Sequence, residues 1–196
     1  LVGVGASTIL SMLLGQRNYK AANKVLLNEV LLNIIIGLVF SVVTLSFLDP
    51  ILMFFGASQN TLPFARDYMV IILLGNVITH LYFGLNNMVR ASGNPKLAME
   101  LTVSTVVSNT IMDPIFIFVL DMGIKGAAIA TVLCQLMALI YTARYFFNQN
   151  NYLHLPKSLR DYKLDIRIAK DSLTIGMGPF LMNFAACIVT LFINQQ

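Results

Sequence analysis

The stretch Asn109-Thr110-Ile111-Met112-Asp113-Pro114 decides how the chain is read. It lies inside the apolar run Leu97–Leu120, which is bounded by Lys96 and by Asp121-Met122-Gly123. The run is about 24 residues long, and at ~1.5 Å of rise per residue that length crosses a bilayer. Asp113 is the one acid well inside it. An ionised carboxylate at that depth costs roughly 2.5–3.5 kcal/mol on insertion scales, so Asp113 should avoid lipid. Asn109 sits four residues earlier, on the same helical face. Pro114 has no N–H and leaves the carbonyl of Thr110 without its helical partner. A carboxylate, an amide oxygen and a bare carbonyl are hard-oxygen groups suited to a small cation or a proton. The same residues also read as an Asp–Asn pair that only tightens helix packing.

The rest of the chain places that run in a polytopic membrane protein. Hydrophobic residues make up 57% and charged residues 11%, with a mean hydropathy of +0.76; soluble domains carry ~25% charged residues. The fold class is all-α, a transmembrane helix bundle. Leu1–Leu14 reads as the tail of a first span, with Gly3, Gly5, Ala6 and Ser7 available for close helix contact. Further spans are expected over about Val25–Leu48, Asp67–Val89, Leu97–Leu120, Gly126–Phe147 and Leu173–Asn194. A surface hairpin is expected near Ile51–Pro63, and an interruption of the last span at Gly176-Met-Gly-Pro179. The chain opens and stops inside apolar runs, and we read it as a piece of a longer protein.

The net charge of +4 raises nucleic acid as a partner, but the placement of the charges argues otherwise. Eleven of the 13 basic residues lie in or beside the first, third and fifth connections, and only Arg66 and Lys125 flank the second and fourth. This bias marks the basic loops as cytoplasmic. It puts Asp113 in the outer half of the membrane, roughly 12 Å from Asp121. The turn Asp121–Gly126 is too short for anything but antiparallel neighbours, so Thr131 can reach the depth of Asn109 and Asp113. A lone Thr in such a helix ordinarily satisfies its own backbone.

With these residues in view, the chain is similar to the multidrug and toxic-compound extrusion (MATE) transporters. The matching pieces are Gly3-Val-Gly-Ala-Ser7 with Ser11 and Gly15; Arg90-Ala-Ser-Gly-Asn-Pro-Lys96 with Ala98-Met99; Asn109 with Asp113-Pro-Ile-Phe-Ile-Phe118; and Met122-Gly-Ile-Lys-Gly-Ala-Ala-Ile-Ala-Thr131. The likeness implies two six-helix lobes facing a central cavity. It assigns 1–147 to helices two to six of the N-terminal lobe, 148–170 to a cytoplasmic interlobe linker, and 171–196 to a truncated first helix of the C-terminal lobe. In the DinF-like branch a buried cation or proton site uses an Asn and an Asp four apart on helix five and a Thr on helix six, which implies Asn109, Asp113 and Thr131 here. An acid on helix one completes that site, and this chain does not contain helix one. The NorM-like branch places an acid on helix seven; Leu173–Asn194 has none, and Cys187 falls near that place.

Other polar residues carry weaker expectations. His80, roughly mid-membrane, reads as a proton relay or, more plainly, as a hydrogen-bonded packing residue. Asn86 or Asn87 could join a polar lining. Glu29 and Glu100 read as interfacial partners of Lys24 and Lys96. Cys134 and Cys187 read as buried thiols. No phosphate loop, metal-binding cysteine cluster or nucleophile motif is present, so no enzyme activity and no cofactor are expected, and no metal apart from a possible Na+ at Asp113. The resemblance implies a monomeric antiporter of a bacterial or archaeal plasma membrane, in contact with lipid, that exports organic cations in exchange for Na+ or H+. A lipid-linked precursor flippase would want a basic cavity, and the spans hold no deep Arg or Lys. A non-transporting membrane subunit, with Asp113 paired to a partner, is the third reading.

Overall fold

The computed structural model describes residues 1–148, 152–156 and 164–194, with side chains described through 190. Among the described residues there are eight α-helices, one π-helical turn and no strand: α1 (Val2–Gly15), α2 (Tyr19–Ser46), α3 (Leu48–Phe54), α4 (Leu62–Leu74), α5 (Asn76–Ala91), α6 (Pro95–Pro114), the π turn (Ile115–Val119), α7 (Gly123–Phe147) and α8 (Ile166–Asn194). Four helices are long and apolar enough to cross a membrane, or five if the bent pair α4–α5 counts as one. Local chemistry sets several ends. Asn18 caps α2 by accepting from Ala21 N at 3.2 Å. Pro95 opens α6 where its missing N–H costs nothing.

Several expectations need correction. The third span is two helices, bent by 54° at Gly75. The Leu73 carbonyl accepts from Ser41 Oγ at 2.8 Å, and Asn76 Nδ2 donates to Gly37 O at 3.1 Å and to Ser41 Oγ at 3.2 Å. Side chains of α2 thus stand in for part of the helical ladder, and Gly75 packs so tightly on Val132 of α7 that a Cβ would collide with it. Pro114 closes α6 without stopping the winding of the chain. The backbone continues into the π turn, where Leu120 N reaches Ile115 O at 2.9 Å and Met122 N reaches Phe116 O at 3.2 Å. The widened turn follows directly on the proline. The surface hairpin begins as the short helix α3 rather than as irregular chain.

The last correction concerns the linker. Helix α8 begins at Ile166, inside the stretch expected to be linker, and runs through Pro179 without a break. Residues 152–156 lie pinned across the helix ends. Leu155 N donates to Phe146 O at 2.8 Å and His154 N donates to Asn23 Oδ1 at 2.9 Å. Tyr152 stacks on Tyr19, and both Leu153 and Leu155 are buried. Positions 149–151 and 157–163 of the expected linker lie outside the described residues, as do 195–196.

The main apolar cluster sits at this basic-loop end, where Leu10, Leu26, Met88, Val89, Phe146 and Leu153 converge. At the other end Lys125 pairs with Asp67 at 3.2 Å and Arg66 with Asp49 at 3.5 Å, so the two sparsely charged connections meet on one side. Elsewhere the outward faces are apolar: Val39, Phe40, Val42, Phe118 and Val119 are all more than half exposed. Such faces suit lipid. Cohesion between these helices then comes from close packing and interhelical hydrogen bonds rather than from burial away from water.

Candidate functional site

The α6–α7 hairpin is set by a tight turn in which Asp121 (φ 52°) and Gly123 (φ 56°) both take left-handed backbone. Asp tolerates that region better than most residues, and Gly does so freely. Gly126 then packs on the Phe116 carbonyl, which a Cβ would meet at 2.6 Å. This close start fixes the register two turns deeper. There Asn109 Nδ2 donates to Asp113 Oδ1 at 2.9 Å and to Thr131 Oγ1 at 3.3 Å. Thr131 in turn donates to its own backbone, Ala127 O, at 3.0 Å. The threonine therefore satisfies its helix and meets the acid's amide partner at once.

All three residues are half-buried. The amide nitrogen of Asn109 occupies the position between carboxylate and hydroxyl where a positive charge would be held. Rotating that amide would present Oδ1 instead, adding a third oxygen to those of Asp113 and Thr131. Beside them is a cleft of about 180 Å³, lined by Tyr82, Phe83, Thr105, Asn109, Thr131 and Gln135 among others. Gln135 accepts a hydrogen bond from Thr79, which ties α5 to α7 at the cleft wall. Cys134 is buried and contacts Met112 Sδ at 3.4 Å; Cys187, expected to be buried, is exposed on α8.

The other polar candidates lie elsewhere. His80 and Asn87 line a second cleft of about 140 Å³ with Gly3, Asn33, Phe83 and Gly84. Phe83 is common to both clefts. Asn86 is buried and donates to Ala98 O at 3.1 Å, so it ties α5 to α6 instead of lining a cavity. Glu100 lies exposed along a groove of about 380 Å³ between α6 and α7, with Ser104, Ser108 and Tyr141. It makes no ion pair with Lys96, since the two pairs among the described residues are those of Asp49 and Asp67.

Glu29 departs furthest from expectation. It is fully buried, while Lys24 is exposed and not paired with it. Asn33 Nδ2 donates to Glu29 Oε1, and Gly84 of α5 packs so closely that a Cβ there would collide with both groups. Among the described residues Glu29 Oε2 has no hydrogen-bond partner. The signal was available in the four-residue spacing of Glu29, Asn33, Gly37 and Ser41, which lays all four along one face of α2. That face is buried throughout. No group of three or more His, Cys, Asp or Glu side chains that could hold a metal occurs among the described residues.

The chain is thus an all-helical membrane bundle with a broken span, a π turn after an acid within an apolar run, and an Asn–Asp–Thr cluster. Residues 1–115 match the MatE family, and the chain belongs to that family. It is 32% identical over 194 residues to the "Multidrug export protein MepA" of Staphylococcus haemolyticus, covering 99% of this chain and 42% of that protein. Among solved structures, "Crystal structure of MATE in the bent conformation" matches with a TM-score of 0.90 and 28% identity, covering 99% of this chain and 43% of the other. An "Outward-facing conformation of a multidrug resistance MATE family transporter" matches with a TM-score of 0.89 at the same identity and coverage. The chain thus spans a little over two-fifths of the length of these relatives.

Proposed function

We propose that the chain is the larger part of the N-terminal lobe, with the first helix of the C-terminal lobe, of a secondary-active efflux antiporter of the DinF-like branch. The antiporter exports organic, often cationic compounds in exchange for Na+ or H+. The observation that carries this reading is the Asn109–Asp113–Thr131 cluster, a half-buried carboxylate bonded to the amide one turn back on its own helix, with that amide also bonded to a hydroxyl on the neighbouring helix. The kinship with a protein named for multidrug export supports the substrate class. An ion drives transport only if it binds the two cavity orientations unequally. Asp113 lies next to the π turn, a point where the helix can change its winding, so binding there can bias the shape of the outer half of α6. Basic loops facing the cytoplasm of a bacterial or archaeal plasma membrane complete the proposed topology.

The test uses the full-length protein in proteoliposomes. Export of a fluorescent organic cation is followed under an imposed Na+ gradient, then under a proton gradient, for wild type and Asp113→Asn. Loss of gradient-driven export in a folded mutant is the expected result, and the effective gradient names the ion. Unchanged export in the mutant would overturn the reading.

A further inference from the structure

We propose that Glu29, with Asn33, is a second proton-binding site of this lobe, separate from Asp113 and reached through the cleft lined by Asn33, His80 and Asn87. Three observations carry it. First, Glu29 is fully buried and one carboxyl oxygen has no partner among the described residues. A carboxyl so placed needs a positive charge in contact with it, because an unpaired buried anion is among the most costly groups a protein can hold. Second, the space around it admits a proton and not a metal ion. Gly84 is packed against Oε1 and Asn33 Nδ2 with no room even for a Cβ. Na+ would need several oxygen ligands at more than 2 Å, whereas the contact already made to Oε1 is an amide donor. Third, the site has an approach. Asn33, which bonds the carboxyl, and Gly84, which packs against it, both line the 140 Å³ cleft together with His80 and Asn87. On the far side of Asn33 the same face of α2 continues as a polar seam, with Gly37 O, Ser41 and Asn76 joined by hydrogen bonds.

The charged and titratable groups on the elements packed around α2 leave Glu29 without a fixed counter-ion. Helix α1 carries none within Val2–Gly15. Helix α5 offers His80, Tyr82 and Arg90, of which His80 lines the cleft and Arg90 is exposed. Helices α3 and α4 hold Asp49, Arg66, Asp67 and Tyr68, with Asp49 paired to Arg66 and Asp67 to Lys125. Helix α8 brings Arg167, Lys170, Asp171 and Cys187, the segments before it bring Tyr152, His154 and Asp165 against the first half of α2, and α2 itself carries Tyr19, Lys20 and the exposed Lys24. His80 is therefore the one titratable side chain that shares the approach to Glu29, and proton exchange through the cleft passes it.

The site does not depend on the export reading, and its test needs no transport. Infrared difference spectra of the purified full-length protein are recorded between about pH 5 and about pH 9, a range wide enough to capture a one-proton titration. The expected result is a protonated-carboxyl C=O band that disappears as pH rises, is missing from Glu29→Gln, shifts in Glu29→Asp and persists in Asp113→Asn. If Glu29→Gln does not fold, the shift in Glu29→Asp makes the assignment alone. A Glu29 band that stays constant across the range, or no band that either variant alters, overturns the proposal. A band removed by Na+ at constant pH overturns it too, because the site would then take a cation.

Discussion

The molecule holds two acid–amide pairs at the same four-residue spacing, and they are built in opposite ways. In Asn109–Asp113 the pair is half-buried, opens beside a cleft and is shared with Thr131 on the next helix. In Glu29–Asn33 the acid comes first, is fully buried and is pressed against a glycine. A half-exposed carboxylate can exchange its partners at little cost to the fold. A buried one cannot, because every change there disturbs packing as well as charge. Spacing along a helix therefore finds the pair, but burial decides whether the pair contributes to the fold, to function, or to both.

The sharpest way to break the comparison is Asp113→Asn. Gradient-driven export in proteoliposomes should fall by roughly 5- to 150-fold, the range of typical coupling energies, with thermal stability in detergent nearly unchanged. A large drop in melting temperature would show that this pair, too, is a packing element. Gly84→Ala should do the reverse to the other pair. The added Cβ runs into Glu29 and Asn33, and overpacking of this kind costs about 1–3 kcal/mol. The double variant Glu29→Ala/Gly84→Ala should recover much of that loss, a non-additivity that a double-mutant cycle reads directly.

Ser41→Ala comes next in size. It removes the donor to Leu73 O at the bend and a partner of Asn76, a loss of about 1 kcal/mol, visible as faster amide exchange around Gly75. Lys125→Ala should be nearly silent. Its pair with Asp67 is about half exposed on both sides, and such pairs contribute ~0–1 kcal/mol.

Much of this was legible in the sequence. The spans, the basic loops on alternate connections and the antiparallel hairpin that carries Asn109, Asp113 and Thr131 all follow from hydropathy, charge placement and one short turn. Three features were missed, two of them because they rest on a contact between distant segments. The bend at Gly75 depends on Ser41 and Asn76 meeting across α2 and α5, more than thirty residues apart in the chain. The early start of α8 goes with Asn28 accepting from Asp165 N at 2.7 Å. Glu29 was misread because nearness to Lys24 in sequence suggested a surface pair, whereas the helix begins at Tyr19 and turns the acid inward towards Gly84. Periodicity on α2 held the correction, since a charged residue in register with Asn33, Gly37 and Ser41 belongs to the inner face.

The crossing of α1 and α8 differs from the meeting of α2 and α5. A Cβ on Gly5 would collide with the carbonyl of Ser172, and one on Gly176 with the carbonyl of Leu1, so main chain rests on main chain there. Where α2 meets α5, Asn76 reaches across to Gly37 O and Ser41 Oγ like a tooth in a groove, and any sliding has to unlock it. Bare backbone has no teeth. At Gly5 and Gly176 two helices meet backbone to backbone, the close approach that small residues allow, so any side chain added at either position has to push the two helices apart.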